Sequence, residues 1–434
     1  MSRFELCPLR PLRGARFRSL SFSCVMSLGI SNDEYAVTDL LGRANFARTL
    51  GRAIASCETP LVIGLYGTWG SGKTSLMHQI ASDLPKSNIA FVHFDPWKYQ
   101  FDEEPAVALL HTMVDSLQLG DRARKLLMVI AGALGSILLK ATTTLDIENI
   151  RELGEQYEQE RFQLREKQAR LQTCFRNLIS IATDEGKKRL VFFIDDLDRC
   201  VPEAVLKVLE ALKLYLNLPG CVYVIGVDRT ALECSIKYRY KELEVREADY
   251  LDKIVQLPFT IPPIAEQAME RFLRALLPKE LQDVANILVA GLTDNPRQIK
   301  RFVNSLILNH ELARTQLEAR YDPKILTGVL LIQYRQPELF KAAMLRPSVI
   351  IEAVSGTLKD ALLLARFQAD NRLSRALPHL KSLGYEELTR YIFLSEVASP
   401  RTVGFDLVLT RVPLESKPAS CINSGVVARN SRYS

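Results

Sequence analysis

The run Leu61-Val-Ile-Gly-Leu-Tyr66, followed at once by Gly67-Thr-Trp-Gly-Ser-Gly-Lys73-Thr74, constrains this chain more than any other stretch. An apolar hexapeptide between Pro60 and a glycine cluster reads as a buried strand, and Leu76, Met77 and Ile80 beyond it carry a helical period. The link between them satisfies the spacing GxxxxGK[ST], in the strand–turn–helix context that gives the spacing meaning. Gly67, Gly70 and Gly72 permit backbone angles that turn successive N–H groups inward, and a helix opening near Lys73 directs its positive dipole end to the same point. Such a cradle fits a polyphosphate. Lys73 offers a point charge to the terminal phosphates, and Thr74 a hydroxyl to Mg²⁺. Gly67, Thr68, Trp69, Gly70, Ser71, Gly72, Lys73, Thr74 and Ser75 are therefore the candidate nucleotide-binding residues. Trp69 either packs the loop in place or stacks on a ligand.

Four further apolar runs, Ile89–Phe94, Leu190–Ile194, Cys221–Val227 and Val255–Ile261, sit between polar or turn residues, with helical patterns between them. Strands alternating with helices predict a parallel sheet covered on both faces. A phosphate cradle alone hydrolyses nothing; an acid on a neighbouring strand must serve the metal, and a second group must orient water. Leu190-Val-Phe-Phe-Ile194 runs into Asp195-Asp196-Leu197-Asp198-Arg199 and supplies both types. Asp195 is the candidate that reaches the metal through a water, alongside Thr74. Asp196 is the candidate that polarises the attacking water; a solvated acidic turn is the alternative. Asp228, where Cys221–Val227 ends, either senses the terminal phosphate or merely closes a strand.

Downstream, Asp294-Asn-Pro-Arg-Gln-Ile-Lys-Arg-Phe-Val-Asn304 opens a helix, with Pro296 suited to its first position and Asn295 or Asp294 to its cap. Ile299, Phe302, Val303 and Leu306 form its buried face, and Arg297, Lys300, Arg301 and Asn304 share another. A cation in the first turn opposes the helix dipole at a cost of about 0.3–1 kcal/mol. Arg297 thus fits best beside an anion such as a nucleotide phosphate, the alternative being a solvated basic face.

Composition narrows the rest. At 434 residues, 47% hydrophobic and 24% charged, the chain is neither wholly disordered, collagen-like nor a polytopic membrane protein. The net charge of +6 sits at the ends. Arg3, Arg10, Arg13, Arg16 and Arg18 against Glu5 give +4, and Arg411, Lys417, Arg429 and Arg432 against Glu415 give +3, leaving −1 between them. No nucleic-acid-coating surface follows, and no specific nucleic-acid binding is expected. The eight cysteines form no CxxC pair, so reduced thiols in a cytoplasmic protein are the expectation. Residues 1–25 have the Arg- and Ser-rich balance of a transit peptide; a start at Met26, or a disordered leader, is the competing expectation. From Tyr35, through Leu40, Leu41, Phe46 and Leu50, the period reads as helical. The stretch 105–188 lacks a strand pattern, with a compact apolar helix at Leu126–Leu139 and a charged stripe (Leu153, Tyr157, Leu164, Leu171, Leu178) within Ile150–Ile181. From Pro263 to about 400 the patterns are helical, and the last 24 residues read as a tail.

Several of these pieces together resemble the KAP family of P-loop NTPases. They are Gly42-Arg43-Ala44 with Phe46-Ala47, Ile63 through Thr74, Phe94-Asp-Pro-Trp97, Asp195 through Arg199, Tyr250-Leu-Asp-Lys-Ile-Val-Gln256 and Asn295 through Arg301, spanning 39 to about 310. The resemblance implies an α/β fold: a P-loop NTPase parallel sheet flanked by helices, with an extra strand between the two nucleotide motifs. A helical insertion between the Walker A and Walker B motifs and a C-terminal helical lid region complete it. The expected division is a leader at 1–25, core at 36–104 and 189–262, insertion at 105–188, lid at 263–320, helices at 321–410 and tail at 411–434. ATP and Mg²⁺ are the implied cofactors, and the absence of an [NT]KxD run after the loop favours adenine. The expected catalytic set is Lys73, Asp196, Asp228 and Arg297, with Arg297 as the lid-borne sensor. Asp196 reaches one methylene less far than the Glu common at this position in related ATPases, which implies slow turnover or closure by a partner.

The family further implies a switch or assembly factor for protein partners, here unidentified, with a homo-oligomer open; members are tied to phage exclusion or membrane-bound signalling. Membrane-associated members carry transmembrane helices in the insertion. Residues 126–139 span about 21 Å of helix against roughly 30 Å of hydrocarbon, so they form a core helix or a peripheral membrane contact. The rival readings are a nucleotide-binding scaffold with negligible hydrolysis, a small-molecule phosphotransferase and a nucleic-acid motor.

Overall fold

Strands that are apolar on both faces must be covered on both, and the sequence provides helices enough to do so. The computed structural model describes residues 29–36, 38–101, 105–141, 172–214, 217–239, 247–317 and 320–397. In it β1 (Leu61–Tyr66), β2 (Ile89–Phe94), β3 (Arg189–Ile194), β4 (Cys221–Val227) and β5 (Leu257–Thr260) form one sheet in the order β2-β3-β4-β1-β5. Every pairing is parallel. β5 is shorter at both ends than the apolar run Val255–Ile261, because only Leu257–Thr260 pairs with β1.

Alternation along the strands divides the core in two. Ile63, Leu65, Val191, Phe193 and Val224 face α1 (Ala44–Ser56) and α2 (Lys73–Asp83). Val62, Phe192, Ile194, Tyr223 and Ile225 face a larger layer. That layer is made of α3 (Pro105–Ser116), α4 (Asp121–Ala141), α5 (172–182), α6 (Pro202–Leu214), α7 (Arg229–Arg239) and α8 (Glu247–Asp252). A third core, with Phe272, Leu288, Phe302, Leu331 and Tyr391, belongs to α9 (Glu266–Leu276), α10 (Ala285–Gly291), α11 (Pro296–Leu317), α12 (Pro323–Arg335) and the helices that follow to residue 397.

Register sets the site. Tyr66 lies beside Val227 and Ile194 beside Ile225, so the glycine loop after β1 and the acidic turn after β3 leave the same edge of the sheet. β4 lies between them, as the resemblance implies. It carries glycine where the gap is tightest: a Cβ at Gly226 would stand 2.6 Å from Met77 Cε and 2.8 Å from Asp195 Oδ1.

Two expectations are corrected in detail. The helical period starting at Tyr35 does not make a helix before Ala44. Asp39 instead accepts the N–H groups of Leu41, Arg43 and Ala44 at 3.2, 2.9 and 2.7 Å, holding the chain in a turn. Leu40 and Leu41 pack on the C-terminal helical core. Leu126–Leu139 lies inside the longer α4, where Ala123, Leu127 and Ile130 are buried and Met128 is exposed. Among the described residues no helix is long and apolar enough to cross a membrane. Residues 1–25, 411–434 and the stripe positions Leu153, Tyr157, Leu164 and Leu171 lie outside the described residues, whereas Leu178 is buried in α5.

A ladder of rings runs from the N-terminal segment into the sheet: Tyr35 on His78 at 3.9 Å, His78 on His93 at 4.4 Å, His93 on Phe193 at 5.0 Å. Burial, with His78 alongside, pushes the His93 imidazole down to about 4 from its ordinary 6.5. Between those values the unfolded chain binds a proton that the folded chain refuses, so stability falls as pH falls through this window. His93→Phe should shrink the drop in urea midpoint between pH 7 and pH 4.5; an undiminished drop would contradict the assignment.

Candidate functional site

The loop between β1 and α2 is shaped by two left-handed glycines, Gly70 (φ +83°) and Gly72 (φ +96°), which the larger residues could adopt only with strain. Space forbids side chains there as well. A Cβ at Gly70 would stand 2.6 Å from Asn295 Oδ1, and one at Gly72 would stand 2.7 Å from Arg43 Nη1. Both neighbours hold the loop. Buried Arg43 donates through Nη1 to the Ser71 carbonyl. Its pKa is lowered by burial, an effect opposed by nearby Asp39. Asn295 Nδ2 donates to the Trp69 carbonyl at 2.7 Å, while its Oδ1 accepts from Arg297 and Gln298 N–H at 3.1 and 3.3 Å. Asn295 thus caps α11, and Asp294 pairs with Arg372 at 3.0 Å instead. Nothing local in the sequence marks the Asn295–loop bond, and Arg43 is marked only by its place in Gly42-Arg43-Ala44.

The acidic turn arrives from β3. Thr74 Oγ1 donates to Asp195 Oδ2 at 2.5 Å, bringing the two expected metal ligands together. Burial raises the Asp195 pKa against the opposing bonds from Thr74 and from the Asp196 N–H. Asp196 has a left-handed backbone, φ 57° and ψ 26°, uncommon outside glycine although Asp tolerates it. Its carboxyl is pushed up to about 6, chiefly by burial and by Asp195, with Arg199 pulling the other way. Arg199 Nε stands 3.0 Å from Asp196 Oδ1.

Asp198, given no role from sequence, has a largely covered side chain that accepts from Lys73 Nζ at 3.4 Å and from the Asp228 N–H at 3.0 Å. The short 3-10 turn Leu197–Arg199 swings it back to the loop. Lys73 also donates to the carbonyls of Gly67 and Thr68 at 3.0 and 3.5 Å. Asp228 reaches this network through its backbone. Its carboxylate accepts the Thr230 N–H at 3.0 Å and caps α7.

Trp69 is 57% exposed rather than packed into the core. Arg199 and Arg297 approach its ring at 5.3 and 5.7 Å, and Arg199 stands 5.5 Å from Trp97 as well. A cavity of about 290 Å³ opens here, lined among others by Lys73, Thr74, Asp196, Arg199, Arg297 and Asp33. The anion beside Arg297 is Asp33, its Oδ2 3.8 Å from Nε.

The residues present fit a nucleotide with Mg²⁺. Ser71 Oγ is buried within the loop without a hydrogen-bond partner, the kind of orphan a phosphate oxygen would satisfy. The first-turn amides of α2 have no intrahelical acceptor and face the cradle. Thr74 and Asp195 are the hard oxygen pair that Mg²⁺ takes when phosphates and water complete its shell. Among the described residues no group of three or more His, Cys, Asp and Glu is placed to hold a metal ion.

Residues 43–313 match the KAP family P-loop domain. An uncharacterized protein of Methanocaldococcus jannaschii is 27% identical over 176 residues, 32% of this chain and 90% of that protein. The phage T7 exclusion protein of Escherichia coli K12 is 23% identical over 368 residues, covering 74% of this chain. The chain spans 48% of that relative's length. Among solved structures, the Aeropyrum pernix ORC2 protein superposes at TM-score 0.36 with 13% identity, covering 84% of this chain and 97% of that one. A Walker-type ATPase of Pyrococcus abyssi gives 0.34 and 14%, covering 85% and 100%.

Trp69 and Trp97 are the chain's two tryptophans, and both flank Arg199 beside the cavity. Intrinsic fluorescence should therefore change saturably on addition of Mg²⁺ and ATP, and the change should vanish in Lys73→Ala. A signal that survives that substitution would place the ligand elsewhere.

Proposed function

As a member of the KAP family of P-loop proteins, the chain carries a nucleotide cradle, and we propose that it is a Mg²⁺-dependent ATPase whose cycle acts as a conformational switch on a protein assembly. The observation that carries this reading is the meeting of Thr74 with Asp195 beside Lys73 and an unpartnered Ser71 hydroxyl. Loop amides and Lys73 bind the phosphate chain; Lys73 exchanges Asp198 and two carbonyls for phosphate oxygens. Thr74 and Asp195 would hold Mg²⁺, which when bound neutralises phosphate charge and polarises the terminal phosphorus. Asp196, lining the cavity next in sequence, orients the attacking water and accepts its proton. Arg297, above Trp69, stabilises charge on the departing phosphate. Since Asn295 ties the loop to the start of α11, a loop that changes shape pulls on the C-terminal helical core. Phage defence is the setting we propose for the switch, on the likeness to the phage T7 exclusion protein.

A scaffold that binds nucleotide without turnover is the second reading, favoured by the Arg199–Asp196 ion pair, which holds the water-orienting carboxylate. Steady-state phosphate release separates the two. The ATPase reading expects turnover that falls about a hundredfold or more in Asp196→Asn and is lost in Lys73→Ala, with ATP still bound by the Asp196 variant. Release from the wild type no faster than from Lys73→Ala would favour the scaffold.

A further inference from the structure

The cations that a phosphate chain would reach already have anions of their own. Lys73 meets Asp198, and at the far side of the cavity Arg297 and Arg301 share Asp33. Asp33 belongs to a segment that crosses from α11 to α2 over the cavity. Asn304 exchanges two hydrogen bonds with Ser31, donating to its carbonyl at 2.7 Å and accepting its N–H at 2.9 Å. Lys300 donates to the carbonyls of Asn32 and Glu34 at 3.3 and 3.2 Å. Arg301 donates to Asp33 Oδ2 through Nη2 at 2.7 Å and Nε at 3.1 Å, and Arg297 Nε stands 3.8 Å from the same oxygen. At the other end the Ala36 N–H donates to Ser75 Oγ at 3.1 Å, and Tyr35 stacks on His78.

Apart from the Tyr35–His78 stack these attachments are polar, and those of Lys300 and Arg301 are exposed. Ile30 and Tyr35 are half exposed, and Asp33 and Arg301 are 40% and 66% exposed at their side chains. Exposed ion pairs contribute little each, about 0.2–1 kcal/mol, so a segment held this way opens more readily than one held by buried apolar surface. The anion that Arg297 was expected to need is present, but it is a carboxylate at long range, shared with Arg301. Arg297 and Asp33 line the same cavity as Lys73 and Thr74. A phosphate group arriving there brings more charge and more acceptor oxygens than the carboxylate it would meet.

We infer that residues 31–36 form a displaceable strap whose Asp33 keeps the place of the terminal phosphate at Arg297, so that a triphosphate, and not a diphosphate, frees the strap from α11. The inference rests on the nucleotide-binding reading above and names the part of the chain that moves. A diphosphate held by the loop and Lys73 leaves Arg297 to Asp33, and the strap stays. A triphosphate takes Arg297, leaves Asp33 facing like charge, and weakens the run of contacts to Lys300, Arg301 and Asn304. The freed helix face then bares two cations, Lys300 and Arg301, whose strap partners have left.

The test uses the full chain and its Asp33→Asn and Glu34→Gln variants, which make the same change in charge one residue apart. Mg²⁺ with a non-hydrolysable ATP analogue, or with ADP, is titrated by calorimetry. Asp33→Asn should bind the analogue roughly two- to fivefold tighter than wild type, the range one exposed ion pair allows. ADP affinity should not change, and Glu34→Gln should alter neither. In wild type, hydrogen exchange at the Ser31 and Ala36 amides should quicken with the analogue and not with ADP. Unchanged or weaker analogue binding by Asp33→Asn, an equal gain in Glu34→Gln, or slower exchange with the analogue would each overturn the strap alone. Wild-type protein that binds neither nucleotide would overturn the nucleotide reading and the strap with it.

Discussion

The hydrogen bond from Thr74 Oγ1 to Asp195 Oδ2 joins residues 121 positions apart and depends on nearly everything else in the sheet. It requires β1 and β3 to end at one edge, with β4 between them in parallel register. It requires Gly226 in β4, because any Cβ there would collide with Asp195 and Met77. It also requires α2 to begin at Lys73, which the left-handed Gly72 arranges. Two oxygens brought together this way would give Mg²⁺ two of its six ligands, leaving phosphate and water to supply the others.

Around that bond the protein has built a loop held from two sides. Arg43 fixes the Ser71 carbonyl from the start of α1, and Asn295 fixes the Trp69 carbonyl from the start of α11. One anchor belongs to the sheet's helices and the other to the C-terminal core, so the loop is one of the links between two bodies with their own apolar interiors. Two of the cavity's cations already carry carboxylates, Lys73 with Asp198 and Arg297 with Asp33. Binding is then an exchange of anions, and an exchange can move whatever carries the anion that leaves.

The sheet was legible because its strands are apolar on both faces and bounded by turn residues; β2 and β4 have the predicted limits and β3 starts one residue earlier. The loop was legible because GxxxxGK[ST] is long and its flanks agree. Helix α11 was legible through Asn295 and Pro296 at its start and the spacing of Ile299, Phe302, Val303 and Leu306. What escaped depends on distant partners. Leu40 and Leu41 suggested a helix because their spacing matched one, whereas they serve the C-terminal core while Asp39 holds their backbone in a turn. Asp33 meets α11 across 268 positions, and nothing local in Ser31-Asn-Asp-Glu34 marks that contact. Asp198 needed a 3-10 turn to bring it onto Lys73, and a run of three acids in four residues does not say which one turns back.

A crystal structure with Mg²⁺ and a non-hydrolysable ATP analogue tests the central claim most directly. The account predicts the β-phosphate among the amides of residues 70–74, the Ser71 hydroxyl newly paired, and the Thr74–Asp195 hydrogen bond opened by a metal lying between them. An analogue bound elsewhere, or a cradle filled while that bond stays closed and no metal stands beside it, would contradict the account.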